Sequence, residues 1–406
     1  MARAAASARS PQPRLCGLVV SIGTRRAIAM RGANGGSALG EVSRFDATPM
    51  SRPGHLRNGM AKICIYGAGS IGCYIGGRLL AGGSEVSFVG RARIGDQLRR
   101  QGLMLSQYDD RRWHVPPERI DVSTDGATAA AADLVLVTVK SAATPAAAAE
   151  LANVLRPGTI VVSFQNGIGN ADVLRAALPQ NTVLEGMVPF NVVERGPGAF
   201  HQGSAGELEI RHAPALQPFV DEFRKAGLPL TQHADMLPVQ WAKLLLNLNN
   251  AINALSNRPL KEELSQRPYR ICLAMAQKEA LALLKRANVR PARVTPLPAR
   301  WIPRALGLPD AWFERLGCAM LTIDPLARSS MSDDLAAGRA TEIDWINGEV
   351  VRLAQRLGRT APVNERLCAL VREAERCDVR PSWPGDALLA ELRAAVSAPS
   401  AWHDGN

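Results

Sequence analysis

From about residue 60 to 232, short runs of β-branched and aliphatic residues alternate with stretches whose apolar positions recur every three or four residues. The runs predict strands at Lys62–Tyr66, Glu85–Val89, Leu134–Val139, Thr159–Phe164, Thr182–Val188 and Glu207–Arg211. Alternation of this kind implies crossover units and a mainly parallel sheet covered on both faces. After about residue 233 the strand pattern stops. Helical periods predict helices over Met236–Ser256, Tyr269–Ala287, Pro309–Gly317, Asp333–Gly338, Thr341–Gly358 and Asn364–Cys377. Pro291, Pro296, Pro298 and Pro303 punctuate a loop between two of them. The pattern divides the chain into an α/β region over 60–232, an all-α region over 233–395 and a flexible end over 396–406.

The first strand runs into Gly67-Ala68-Gly69-Ser70-Ile71-Gly72, and Ile71, Ile75 and Leu79 then carry a helical period. In a strand–turn–helix setting each glycine has a distinct task. Gly67 permits the bend, Gly69 lets a pyrophosphate approach the backbone, and Gly72 lets the helix pack on the strand. The helix start adds unpaired N–H groups and a partial positive charge. The N-terminal region therefore reads as a Rossmann-type dinucleotide domain. Its second strand ends at Val89 and is followed by Gly90-Arg91-Ala92-Arg93, with no acid before Asp96. An acid there would bind the ribose 2′-OH of NAD, whereas an arginine accommodates the 2′-phosphate of NADP. Arg91 is the candidate phosphate ligand, with Arg93 second and a solvated loop arginine as the alternative.

Charge adds little to this picture. The net charge is +11, but residues 1–59 hold nine arginines against Glu41 and Asp46 alone. The remaining basic residues are spread among many acids, with no aromatic-interleaved patch, so nucleic acid is not an expected partner. The Arg-, Ala-, Gly- and Ser-rich stretch over 1–59 lacks the periodicity of a core. It reads as an upstream start assigned in error ahead of Met60, as a targeting segment, or as a basic arm. No apolar run reaches the roughly 18 residues of a membrane span. Cys16, Cys64, Cys73, Cys272, Cys318, Cys368 and Cys377 are scattered and form no Cys-x-x-Cys. That argues for reduced thiols in the cytoplasm and against a zinc site.

Two strand ends carry polar residues where a doubly wound sheet opens its ligand crevice. Lys140 follows Leu134–Val139, and Gln165-Asn166-Gly167 follows Thr159–Phe164. Lys140 suits cofactor phosphate or ribose oxygens, and Asn166 suits the nicotinamide end or the substrate. A solvated lysine and an Asn-Gly turn are the bland alternatives. In the helical half, Lys243 and Asn247 lie four apart on one helix face beside Leu244, Leu245 and Leu246. Partial desolvation would lower the lysine pKa toward a value useful for an acid catalyst. A snorkelling lysine is the alternative. Ser330-x-x-Asp333 and Thr341-x-x-Asp344 read as helix starts, and Glu342 sits in the first turn after the second.

Together, Gly67-x-Gly69-x-x-Gly72, Lys140, Gln165-Asn166-Gly167, Lys243-x-x-x-Asn247, Ser329-Ser330-Met331 and Thr341-Glu342-Ile343-Asp344-x-x-Asn347-Gly348 resemble ketopantoate reductases over residues 60–395. The resemblance implies NADPH-dependent reduction of 2-dehydropantoate to pantoate, in a cleft between a Rossmann and a helical domain. It implies Lys243 as general acid, and Glu342 as the group that orients lysine, cofactor or substrate. It also implies Asn247, Asn253 and Ser330 on substrate oxygens, and Asn166 between cofactor and substrate. The family's second amide commonly lies eight residues after the lysine, where this chain has Ala251. Asn250 and Asn253 compete for that role, and a different 2-oxo acid is the alternative substrate. Oligomeric state stays open, a homodimer included.

Overall fold

The computed structural model describes residues 61–316 and 327–397. Its first half contains β1 (Lys62–Tyr66), α1 (Ser70–Ala81), β2 (Glu85–Val89), α2 (Ala92–Gln101), β3 (Leu103–Gln107), β4 (Arg112–Val115), β5 (Asp121–Ser123) and β6 (Leu134–Val137). Then follow α3 (Thr144–Val154), β7 (Ile160–Ser163), α4 (Asn170–Ala177), β8 (Thr182–Met187), β9 (Val192–Gly196), β10 (Ala199–Gln202), β11 (Leu208–Arg211), α5 (Gln217–Lys225) and β12 (Leu230–His233). Eight strands form one sheet in the order β12-β11-β8-β7-β6-β1-β2-β5, antiparallel only between β8 and β11. From β5 to β8 this is the doubly wound order, which reverses between β1 and β6. Ile63 and Ile65 of β1 enter one core, and Cys64 and Tyr66 enter the other. Period-two alternation thus buries both faces of the strand, so β1 reads as a continuous apolar run.

A second sheet, β4-β3-β10-β9, packs on α1. None of its strands is predicted from the sequence pattern. Each is four or five residues long and mixes apolar with polar residues, Gln, Arg, His and Glu among them. The hairpins β3–β4 and β9–β10 become one sheet only through a pairing almost a hundred residues apart, as in Phe200 opposite Leu105. β5 and β12 escape the pattern for the same reason: one is three residues long and the other has no fully buried position.

The second half contains α6 (Leu237–Asn247), α7 (Asn249–Ser256), α8 (Leu260–Ser265), α9 (Arg267–Arg286), α10 (Ile302–Leu306), α11 (Asp310–Leu316), α12 (Ser330–Ala336), α13 (Asn347–Arg356), α14 (Pro362–Arg376) and α15 (Gly385–Ser397). The 20-residue α9 is its axis and packs on α7, α8, α10, α13, α14 and α15. Its buried Arg270 donates to the carbonyls of Leu264, Ser265, Leu306 and Leu308 and to Asp310 at 2.7 Å. Four backbone carbonyls, three of them at helix C-terminal ends, and one acid thus satisfy a charge that would be costly if unpaired. The helix expected over Met236–Ser256 is two helices joined at Leu248. The amides at Asn247, Asn249 and Asn250 weaken the helix there. Asn257, at φ 54°, ends the second in the left-handed conformation that Asn tolerates. Pro303 begins a helix rather than interrupting a loop. Residues 1–59 and 398–406 lie outside the described residues. Among the described residues no helix is long and apolar enough to cross a membrane.

Candidate active site

The glycine turn leaves β1 at the point where the strand order reverses. Gly67 has φ +115°, and its N–H and that of Ala68 both donate to the Val89 carbonyl at 2.9 Å. A side chain at Gly67 would lie 2.5 Å from the Val139 nitrogen. A methyl at Gly72 would strike the Gly67 carbonyl and lie 2.6 Å from Thr138 Oγ1. A methyl at Gly69 would meet nothing within 4 Å. Two glycines are therefore needed for packing, and the middle one faces open space. Ser70, Ile71 and Gly72 begin α1, where the first N–H groups have no acceptor within the helix. An open backbone beside unpaired N–H groups fits the pyrophosphate of a dinucleotide. Arg91 sits exposed at the start of α2, just past β2. Arg93 is drawn to Glu194 at 3.5 Å, which favours Arg91 as the arginine available to a phosphate.

Lys140 reaches across to the helical half, with Nζ 2.7 Å from Asp334 and 3.1 Å from the Ala340 carbonyl. Asp334 also pairs with Arg339 at 3.1 Å. The lysine thus joins the sheet to α12 and to the segment ahead of Glu342.

Around Glu342 the two halves interlock. Its Oε1 accepts from the N–H and the hydroxyl of Ser141, each at 3.0 Å. Its Oε2 accepts from Asn166 Nδ2 at 3.0 Å. Asn166 Oδ1 lies 3.5 Å from Asn247 Nδ2. Gly167, at φ +83°, brings the chain so close to the helical half that a side chain would lie 2.8 Å from the Trp345 carbonyl. Asn247 ends α6, and Lys243 lies one turn earlier on the same face. Lys243 Nζ donates to the Pro189 carbonyl at 3.0 Å, so it points to the sheet half just beyond β8. The lysine keeps partial solvent access, but the protein packed around it pushes its pKa down to about 8. Desolvation alone does this, and Lys243 pairs with no acid among the described residues. Glu342 and Lys243 thus face one seam without touching.

Three expectations change. The cap of α12 is Ser329, whose hydroxyl accepts from the Ser332 N–H at 3.1 Å, not Ser330. Ser330 is exposed in the first turn, and its hydroxyl makes no hydrogen bond among the described residues. Asn253 is fully buried. Its Nδ2 donates to Glu263 at 2.6 Å and to the Arg258 carbonyl at 3.0 Å, and its Oδ1 accepts from the Ser329 N–H at 2.9 Å. With every polar atom engaged, Asn253 holds the Ser329 turn. Asn250 keeps partial exposure, and its amide makes no hydrogen bond among the described residues. Beneath Asn253, burial pushes the Glu263 carboxyl up to about 8. Thr341 does not begin a helix directly: a 3₁₀ turn over Ile343–Trp345 intervenes before α13. Sequence reasoning missed Ser141, Asn170 and Asp334. The only available signal for Ser141 was its place after Lys140 at a strand end.

Residues 63–215 match the family model described as ketopantoate reductase PanE/ApbA, and residues 235–375 match its C-terminal counterpart. The chain is 30% identical to a 2-dehydropantoate 2-reductase of Halobacterium salinarum, over 78% of this chain and 99% of the relative. A solved PanE/ApbA family ketopantoate reductase from Ralstonia eutropha JMP134 is 30% identical, with TM-score 0.67, over 77% of this chain and 98% of the other. The fold also matches D-mandelate dehydrogenase with NADH and anilino(oxo)acetate. That match has 20% identity and TM-score 0.65, over 77% and 98% of the two chains.

Proposed function

Because this chain belongs to the ketopantoate reductase PanE/ApbA family, we propose that it is a cytoplasmic NADPH-dependent reductase that converts 2-dehydropantoate to pantoate, a step toward coenzyme A. The observation that carries the reading is the shared face of α6. There Lys243, its pKa brought down to about 8, sits one turn from an Asn247–Asn166–Glu342 chain that crosses the seam.

Gly67, Ala68, Gly69, Ser70, Ile71 and Gly72 would hold the cofactor pyrophosphate, and Arg91 the 2′-phosphate. Lys140, Asn166 and Glu342 line the way from there to the substrate. When bound, NADPH supplies a hydride for the substrate carbonyl carbon. Lys243 gives a proton to the carbonyl oxygen. A pKa of about 8 keeps it mostly protonated at neutral pH yet ready to release the proton. Its ammonium also stabilises negative charge as that charge grows on the oxygen. Asn247 and Ser330 offer hydrogen bonds to substrate oxygens, and Glu342 fixes the Asn166 amide between the two ligands. Residues 60–232 act as the cofactor domain and 233–395 as the substrate domain.

A second reading, the same chemistry on a different 2-oxo acid, is favoured by the burial of Asn253, which withdraws one expected substrate amide. NADPH oxidation by the full chain, followed with 2-dehydropantoate and a panel of other 2-oxo acids, separates the two. The highest kcat/KM is expected with 2-dehydropantoate; a much higher value for another acid refutes that substrate.

A further inference from the structure

Ser141 is 1% exposed and its hydroxyl touches three polar groups, so its single proton has a choice of acceptors. Oγ lies 2.9 Å from the Asn166 carbonyl, 3.0 Å from Glu342 Oε1 and 3.1 Å from Asn170 Nδ2. The surrounding groups decide the direction. Gln165 Nε2 donates to the Val139 carbonyl at 3.0 Å, which can only accept, so the same nitrogen also donates to Thr144 Oγ1 at 2.7 Å. Thr144 then gives its proton to Asn170 Oδ1 at 2.9 Å. That fixes the Asn170 amide, whose two N–H groups serve the Asn166 carbonyl at 2.7 Å and Ser141 Oγ at 3.1 Å. The Asn166 carbonyl is thereby supplied. The Ser141 proton goes to the remaining acceptor, the Glu342 carboxylate, where the bond is charge-assisted.

We propose that Ser141 is a positioning residue for the proposed reaction: with its N–H and its hydroxyl it clamps one oxygen of Glu342, leaving the other to orient the Asn166 amide toward Asn247. The clamp joins residues 201 positions apart and holds the carboxylate of the helical half against the end of β6. Glu342 Oε2 takes the Asn166 Nδ2 hydrogen, so Asn166 Oδ1 faces Asn247. Hydrogen bonds thus run from Asn247 through Asn166 to Glu342, and Ser141 anchors their far end. The inference rests on the reductase reading for its catalytic consequence, whereas the clamp itself rests on the two hydrogen bonds to Glu342 alone.

The test is a double-mutant cycle on the full chain with S141A, E342Q and the double variant. It is read as kcat and KM for the best 2-oxo acid and for NADPH, and as the thermal midpoint of the cofactor-free protein. S141A is expected to lower kcat about tenfold or more, as for loss of a hydrogen bond to a charged group, with the NADPH KM nearly unchanged. In the E342Q background the same change is expected to add little, and the midpoint losses are expected to be non-additive. Wild-type kcat in S141A, or equal fold losses in both backgrounds, overturns the proposal. If S141A does not fold, Ser141→Cys keeps the volume with a weaker donor and is read the same way. A wild-type chain inert toward every 2-oxo acid refutes the reductase reading instead; additive midpoint losses would then still overturn the clamp.

Discussion

The three glycines after β1 share one motif, but the geometry assigns them opposite sensitivities. A methyl placed at Gly72 lies 2.6 Å from Thr138 Oγ1, and ordinary contact begins near 3.4 Å. The threonine has little room to give, because its hydroxyl donates to the Gly67 carbonyl at 2.7 Å and that carbonyl is itself struck. Overpacking of this kind costs about 1–3 kcal/mol. Helix propensity returns at most about 1 kcal/mol for Gly→Ala. Gly72→Ala should therefore lower stability by about 1–2 kcal/mol, or about 2–8 °C in Tm for a domain of this size. Gly69→Ala meets nothing within 4 Å and sits at φ −95°, so its Tm should stay near wild type. Its methyl enters the space left for the pyrophosphate. Losing one backbone hydrogen bond to a phosphate costs about 1.5–3 kcal/mol, so NADPH affinity should fall about tenfold or more. Thermal unfolding and NADPH fluorescence titration on both variants read the two effects separately. Wild-type NADPH affinity in Gly69→Ala would refute the phosphate assignment, and wild-type stability in Gly72→Ala would refute the packing account.

Three further expectations follow from the charged groups. Arg91→Ala should weaken NADPH and leave NADH nearly untouched; equal loss for both cofactors would remove the 2′-phosphate role. The general acid must be protonated to act, so kcat should be flat below about pH 8 and fall about tenfold per unit above it; a rate that keeps rising through pH 9 would exclude Lys243 as the proton donor. Glu263 has its folded pKa raised to about 8, so the folded state holds a proton that the unfolded chain releases near its ordinary value of 4.5. Its contribution to stability is lost as pH rises from about 4.5 to about 8. Glu263→Gln should flatten that loss and raise Tm more at pH 8 than at pH 5, and unfolding curves that respond equally at both would show that the carboxyl does not titrate there.

What could be read in advance was whatever depends on near neighbours. The strands β1, β2, β6, β7, β8 and β11 announce themselves through the apolar residues at their buried positions, whatever their partners. Lys243 and Asn247 share a face because helical spacing alone puts them there. The strands β3, β4, β9 and β10 were hidden because they are short hairpin arms of mixed polarity, joined into one sheet only by the long-range pairing of β3 with β10. Asn253 shows the limit for side chains. An amide beside Asn249 and Asn250 looks like part of a polar surface, and only the fold reveals that Glu263 and the Ser329 backbone claim its hydrogen bonds. Ser141 is the converse case: its partner Glu342 lies 201 residues away, so only its place after Lys140 at a strand end marks it locally.

The central claim is that the Lys243 ammonium, held at the seam by the Pro189 carbonyl, supplies the proton as the substrate carbonyl is reduced. Steady-state turnover and NADPH titration of Lys243→Ala in the full chain test it directly. Loss of a positioned general acid predicts a fall in kcat of about 10²–10⁴-fold, with NADPH affinity nearly unchanged. Turnover within a few-fold of wild type would contradict it.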